Sequence, residues 1–377
     1  MQTDVQPFRA IAISARAYAL QAEGRPVIHM EFGQPSTGAP PSAIATAHSV
    51  LDQDPMGYWE SPALRQRLAR YYRERYGLDL DANRFALTCG ASPALVLALL
   101  TRFSRGARIA LARPGYVAYR NTLRALGLVP VEIACGPSTR YQLTADLIAG
   151  LDPMPAGVIV ASPANPTGTI IDEAGLAAIA TVCRNNGIAI ISDEIYHGLS
   201  YGPPTHSLLE FEKSAFVINS FSKYFSMAGW RLGWLVTPLE QVSQARSLLG
   251  NLFLSAPSLS QHAALAAFED RDVLEAHIEV YRRNRQRLIG ALPKMGISSI
   301  APPDGAFYIY ADVGHLTTDS FSFCKKILEE TGIALAPGLD FDPVDGHRFI
   351  RISFAVSEAE TETAITRLRD WLPINKG

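Results

Sequence analysis

Residues 157–168, GVIVASPANPTG, 187–196, GIAIISDEIY, and 216–223, FVINSFSK, decide the fold. Each opens on a short apolar run and closes on polar residues. Consecutive apolar positions over so few residues suit strands buried on both faces, as in the middle of a helix-covered sheet. The segment 173–185 between the first two carries helical spacing. Outward from this centre the same alternation continues. Strands are expected at 85–89, 108–112, 129–133, 158–161, 188–192, 216–220 and 231–236, with helices at 91–103, 116–126, 173–185 and 240–249. This order predicts an α/β fold with a mostly parallel seven-stranded sheet flanked by helices.

The flanks read differently. A short helix is expected at 8–23, then an irregular stretch, GQPSTGAPP. Beyond 270 a long charged helix at 272–292, strand-like runs at 306–312 and 348–355, a helix at 320–331 and a closing helix at 357–372 read as a smaller α+β unit. The expected division is a large domain at 45–270 and a small domain from 1–44 plus 271–377. No internal repeat and no low-complexity stretch occurs.

The 377 residues carry 34 basic and 36 acidic side chains, a net charge of −2, which points to neither a nucleic-acid nor a membrane partner. Cys89, Cys135, Cys183 and Cys324 make no C-x-x-C pair, so no metal site is signalled and small buried hydrophobes are expected. No apolar run reaches the length of a membrane span. The start, MQTDVQPFRA, lacks the basic and apolar regions of a signal peptide, and a cytoplasmic protein is expected.

Ligands of open α/β sheets bind beyond the carboxyl ends of the strands. After the first strand, Gly90 permits close backbone approach, and the amides of Gly90, Ala91 and Ser92 open a helix, a place for an anion. After the fourth, two prolines and Gly168 fix a loop that displays Asn165, or that turns it onto its own backbone. After the fifth comes Asp193, expensive to bury without a cation unless it caps the next segment. After the sixth comes Lys223, beside the hydroxyls of Ser220 and Ser222. Lys213, Lys294, Lys325, Lys326 and Lys376 read as surface. Arg231 is expected to open the seventh strand, and a cation starting a core strand needs an anion, such as phosphate. A lysine can form a Schiff base with an aldehyde cofactor, hydroxyls and an arginine can hold its phosphate, and an aspartate can keep a pyridine nitrogen protonated.

With SPANPTG, SDEIY, SFSK, the arginine of GWRLGW and RISFA in this order, the chain resembles, over nearly its whole length, the class I/II aminotransferases of pyridoxal-phosphate fold type I. The resemblance implies pyridoxal 5′-phosphate on Lys223 and Asp193 against its ring nitrogen. Tyr196 and Asn165 would face the 3′ oxygen, and Tyr116, in RPGYVAY, would stack on the ring. Ser220, Ser222, Arg231 and the Gly90–Ala91–Ser92 amides would hold phosphate. Arg351 would take the substrate α-carboxylate, helped by Asn165 and the Gly33 backbone. Lys223 would also carry the proton between Cα and the cofactor C4′, and the substrates would be an amino acid and a 2-oxo acid. A homodimer is implied, with Tyr58 reaching a neighbour's phosphate. Two departures stand out. The segment GYWESPALRQRLA around Tyr58 is shorter than the family pattern and lacks its glycine, and Arg113 replaces an aspartate before Pro-Gly-Tyr. The same residues would serve a β-lyase, decarboxylase or oxidase of amino acids. A ligand-sensing regulator on this fold would need a DNA-binding module, for which the residues before 30 leave no space.

Overall fold

The computed structural model describes residues 5 and 7–372. Lys376 lies outside them. Among the described residues eleven strands form, β1 Ile28–Met30, β2 Phe85–Thr88, β3 Arg108–Arg113, β4 Val129–Ala134, β5 Gly157–Ala161, β6 Ala189–Asp193, β7 Phe216–Ser220, β8 Gly233–Val236, β9 Tyr308–Asp312, β10 Ile333–Pro337 and β11 Phe349–Ser353. The helices are α1 Arg9–Ala22, α2 Pro41–Gln53, α3 Pro62–Tyr76, α4 Ala91–Arg102, α5 Val117–Ala125, α6 Ala145–Ala149, α7 Glu173–Asn185, α8 Val242–Leu252, α9 Ser258–Ala267, α10 Arg271–Ala291, α11 Ser320–Thr331 and α12 Glu358–Trp371.

Seven strands make one sheet in the order β2-β8-β7-β6-β5-β3-β4, and only β8 runs against the others. Both faces are covered. Val158, Val160, Ile190 and Val217 pack with Leu68 and Tyr72 of α3, while Ile159, Ile191, Phe216 and Ile218 pack with Leu95 of α4 and Leu123 of α5. Successive residues of one strand therefore serve opposite cores. Because β8 is reversed, its first residue, Gly233, lies level with Ser220 at the end of β7 and Thr88 at the end of β2. The turn leading into β8 thus meets the loops leaving β7 and β2.

The structure corrects the sequence reading in two places. Arg231 does not open β8. It ends the short 3-10 turn Ala228–Trp230 with φ 51°, two residues before the strand. The backbone just beyond it has no latitude: a Cβ on Gly233 would lie 2.8 Å from the Asn219 carbonyl oxygen and from Gly90 C. Second, the terminal part holds a four-stranded sheet, β1-β10-β11-β9, where two strands were expected. Three-residue β1 pairs parallel with β10, which is buried throughout. Helices α2 and α3 were also not read from the sequence. Each carries a proline at its first position, where the missing N–H costs nothing, so the prolines mark starts rather than breaks.

Candidate active site

A cavity of about 520 Å³ opens at the carboxyl edge of the large sheet, against α1, the β1 end and the small sheet. Lys223, Asp193, Tyr196, Tyr116, Asn165, Ala91, Ser92, Ser222, Arg231, Gly33 and Arg351 all line it. Gly90 and Ser220 stand directly behind the wall. Tyr58 does not line it and is 83% exposed. Lys213, Lys294, Lys325 and Lys326 are exposed, as expected.

At the start of α4, the Gly90 N–H donates to the Thr88 carbonyl at 2.7 Å, so this amide is not free as the sequence suggested. Gly90 contributes room instead. Its φ is +94°, and a Cβ there would lie 2.4 Å from Arg231 Nη2. The Arg231 guanidinium donates to the Cys89 and Ala228 carbonyls at 3.1 and 2.9 Å, which aims it at the start of α4. Ser220 Oγ donates to the Leu232 carbonyl and sits 2.8 Å from Ser222 Oγ, so it supports Ser222 rather than facing the cavity.

Asp193 ends β6 on the same side as Ile191, the side covered by α5. Its Oδ1 accepts from the Ile195 N–H at 3.1 Å and its Oδ2 from the Tyr119 hydroxyl at 2.6 Å. Burial raises the affinity of this carboxyl for a proton, and those two donors with the Lys223 charge oppose it. The next residue, Glu194, faces the other core. Its Oε1 accepts from Ser192, Ser207 and the Leu208 N–H, and burial pushes its carboxyl up to about 8. Lys223 Nζ donates to the Gly33 carbonyl. Burial, then the Arg351 charge, push this amine down to about 8, so a minor fraction of it, far more than for an ordinary lysine, is neutral near physiological pH.

Arg351 is buried between two rings, with its guanidinium carbon 4.4 Å from the Tyr308 centroid and 4.7 Å from that of Phe341. Nη1 donates to Asn165 Oδ1 at 2.8 Å and Nη2 to the Glu31 carbonyl at 2.5 Å. Nε is buried with no acceptor among the described residues. Tyr196 Oη lies 2.6 Å from Tyr308 Oη. Gly33 is required here because a Cβ would sit 1.9 Å from that Tyr308 hydroxyl. Arg113 pairs with Asp342 at 2.9 Å and so ties loops outside the cavity.

Sequence reasoning missed Tyr119 and Tyr308. Tyr119 could have been found three residues after Tyr116 at a helix start. Tyr308 carried no local signal. The set fits pyridoxal phosphate. Gly90 leaves the approach an arginine needs, Ala91 and Ser92 open a helix, Asp193 is a buried carboxylate with lone pairs to spare, and one lysine lines the cavity.

The model of the family described as "Aminotransferase class I and II" matches residues 25–368. The chain belongs to that family. As a member it is an aminotransferase that depends on pyridoxal phosphate and moves an amino group from an amino acid to a 2-oxo acid. The aminotransferase is 44% identical to the valine–pyruvate aminotransferase of Mycobacterium tuberculosis, over 99% of this chain and 98% of that one. It is 28% identical to an aspartate aminotransferase of Geobacillus stearothermophilus, over 97% and 96%. Among solved structures, an aminotransferase from Mycobacterium tuberculosis superposes with a TM-score of 0.96 at 44% identity, covering 98% and 97% of the two chains. Thermus thermophilus aspartate aminotransferase with maleate gives 0.90 at 27%, covering 97% of each.

Proposed function

We propose that this aminotransferase takes amino acids with uncharged, largely apolar side chains and passes their nitrogen to a small 2-oxo acid such as pyruvate. The observation that carries this is the cation inventory of the cavity. Among the described residues only Lys223, Arg231 and Arg351 line it with positive charge, and each has a task. None remains for a side-chain carboxylate. The wall beyond Arg351 is Phe8, Ile11, Phe32 and Phe341, and of the two acids there Asp340 is occupied by the Arg9 and Ala10 amides at 2.8 Å, while Glu31 Oε1 lies 2.7 Å from His29 Nδ1. The Mycobacterium tuberculosis relative named for valine and pyruvate supports the same reading.

When bound, pyridoxal phosphate supplies an aldehyde for amines and an electron-withdrawing ring. Lys223 would hold the aldehyde and, once released by an incoming amine, move the proton between the substrate Cα and the cofactor C4′. Ser222, Arg231 and the Ala91 and Ser92 amides would bind the phosphate. Tyr116 would cover the ring face, Asp193 would keep the ring nitrogen protonated, and Asn165 and Tyr196 would face the 3′ oxygen. Arg351 would orient the α-carboxylate. We read 45–270 as the cofactor-binding domain and 1–44 with 271–377 as the domain that closes on it. A homodimer is inferred from exposed Tyr58, Leu252 and Leu254 near the segment that Ser258 Oγ ties to the Gly57 carbonyl. A cytoplasmic setting suits four free cysteines. Among the described residues no helix is long and apolar enough to cross a membrane.

A panel of L-amino donors against pyruvate and 2-oxoglutarate tests the substrate assignment. Valine and similar donors should exceed aspartate in kcat/KM. Preference for aspartate would overturn it, and would point to an arginine brought by a second subunit.

A further inference from the structure

We propose that Tyr119 is a positioning residue for transamination. Its hydroxyl, donated to Asp193, keeps that carboxylate charged and so keeps the proton on the pyridine nitrogen it faces. This rests on the assignment of Asp193 to that nitrogen and adds the group that makes the assignment work.

A carboxylate and a pyridine nitrogen that share one proton divide it by relative affinity. Asp193 is only 7% exposed, and burial strengthens its hold on a proton. Left alone, such a carboxyl would take the proton and leave the ring neutral, and a neutral ring withdraws electrons less well. Tyr119 counters this. At 2.6 Å its O–H donates to Oδ2, while Oδ1 receives the Ile195 N–H at 3.1 Å. Hydrogen bonds to the charged form favour that form. Each oxygen keeps a lone pair for the nitrogen. Burial and the Asp193 charge hold the Tyr119 phenol well above its ordinary range, so it stays a donor throughout the working range.

The placement is built into α5. Tyr116, at its N-cap, and Tyr119, one turn on, meet edge to face at 5.4 Å with planes 89° apart. The same helical turn thus offers one ring to cover the cofactor and one hydroxyl to hold its acid partner. Tyr119 is itself 7% exposed and belongs to the core that includes Leu123 and Ile191. The packing part of its role would survive loss of the hydroxyl, which makes the two roles separable.

The test is Tyr119→Phe, studied as holoenzyme loaded with cofactor ¹⁵N-labelled at the ring nitrogen. Losing a hydrogen bond to a charged group should move the shared proton from the ring nitrogen toward Asp193, by roughly 10- to 100-fold in relative population, and lower kcat by a similar factor, with KM for the amino donor little changed. In wild type the NMR signal should report a protonated nitrogen. In Tyr119→Phe it should lie toward the unprotonated position already at neutral pH, because the proton passes to Asp193 and not to water. A fluorinated tyrosine placed at 119 alone, a stronger donor of the same shape, should shift it the opposite way. Asp193→Asn is the control and should give an unprotonated nitrogen at neutral pH. If Asp193→Asn does so while Tyr119→Phe keeps the wild-type signal at neutral pH, Tyr119 only fills space and the proposal is overturned. If Asp193→Asn leaves the nitrogen protonated, the Asp193 assignment beneath it is what fails.

Discussion

Replacing Arg351 with lysine asks whether the cavity reads a carboxylate through a planar fork or through charge alone. A guanidinium has five N–H donors. Two are spent on Asn165 Oδ1 and the Glu31 carbonyl, which fix its plane between the rings of Tyr308 and Phe341. The other three, Nε among them, would remain for a substrate carboxylate. Lysine keeps the charge but offers no flat face for the rings and no pair of parallel donors. Loss of a buried charge-assisted pair typically costs about 2–5 kcal/mol. At about 1.4 kcal/mol per factor of ten, Arg351→Lys should lower kcat/KM for α-amino acids roughly 30- to 4,000-fold. The assay is a half-reaction followed by cofactor absorbance, with an amino acid and with the matching amine that lacks the carboxylate. The amine should respond little, and cofactor affinity should hold. Equal losses for both substrates would show that Arg351 supports the fold and does not read the carboxylate.

Lys223→Ala should abolish turnover, and borohydride reduction of wild type should attach cofactor at Lys223. Label on Lys213, Lys294, Lys325 or Lys326, all exposed, would refute its role. With its amine near 8 instead of 10.5, Lys223 should make cofactor attachment to apoenzyme speed up with pH and level off above about 8, and stopped-flow absorbance that still climbs past pH 10 would contradict this. Glu194 holds its proton more tightly folded than unfolded, so it lowers stability as pH rises from 4.5 to about 8. Glu194→Gln should flatten that slope, which is at most about 1.4 kcal/mol per pH unit for one group. Urea midpoints of mutant and wild type that run parallel across the range would count against it.

The large sheet was legible because its central strands are apolar at consecutive positions, and a strand with two buried faces can look no other way. The residues just past those strands were legible for the same reason. Asp193 and Lys223 are costly beside such runs unless something meets them. What the sequence hid depends on distant partners. Tyr119 and Asp193 are 74 residues apart, Tyr196 and Tyr308 are 112 apart, and no local pattern pairs them. β1 is too short for a period to show, and β10 comes so soon after α11 that only Gly332, with φ +73°, separates them. Arg231 was misplaced by two residues because the turn before β8 is set by contact with Gly90 and Asn219, which lie elsewhere in the chain.

The pairing of β1 with β10, and of Arg351 with the Glu31 carbonyl across 320 residues, bears on when this protein comes into being. A ribosome finishes every strand of the large sheet, and with them Asp193, Lys223 and Arg231, before it reaches Tyr308 or Arg351. The opening segment, already emerged with Glu31 and Gly33, waits for a partner that arrives near the end of synthesis. On the assignments proposed above, the residues for the cofactor's phosphate and ring are therefore made before the one for the substrate's carboxylate. A product truncated ahead of β11 would carry Asp193, Lys223 and Arg231 and lack Arg351.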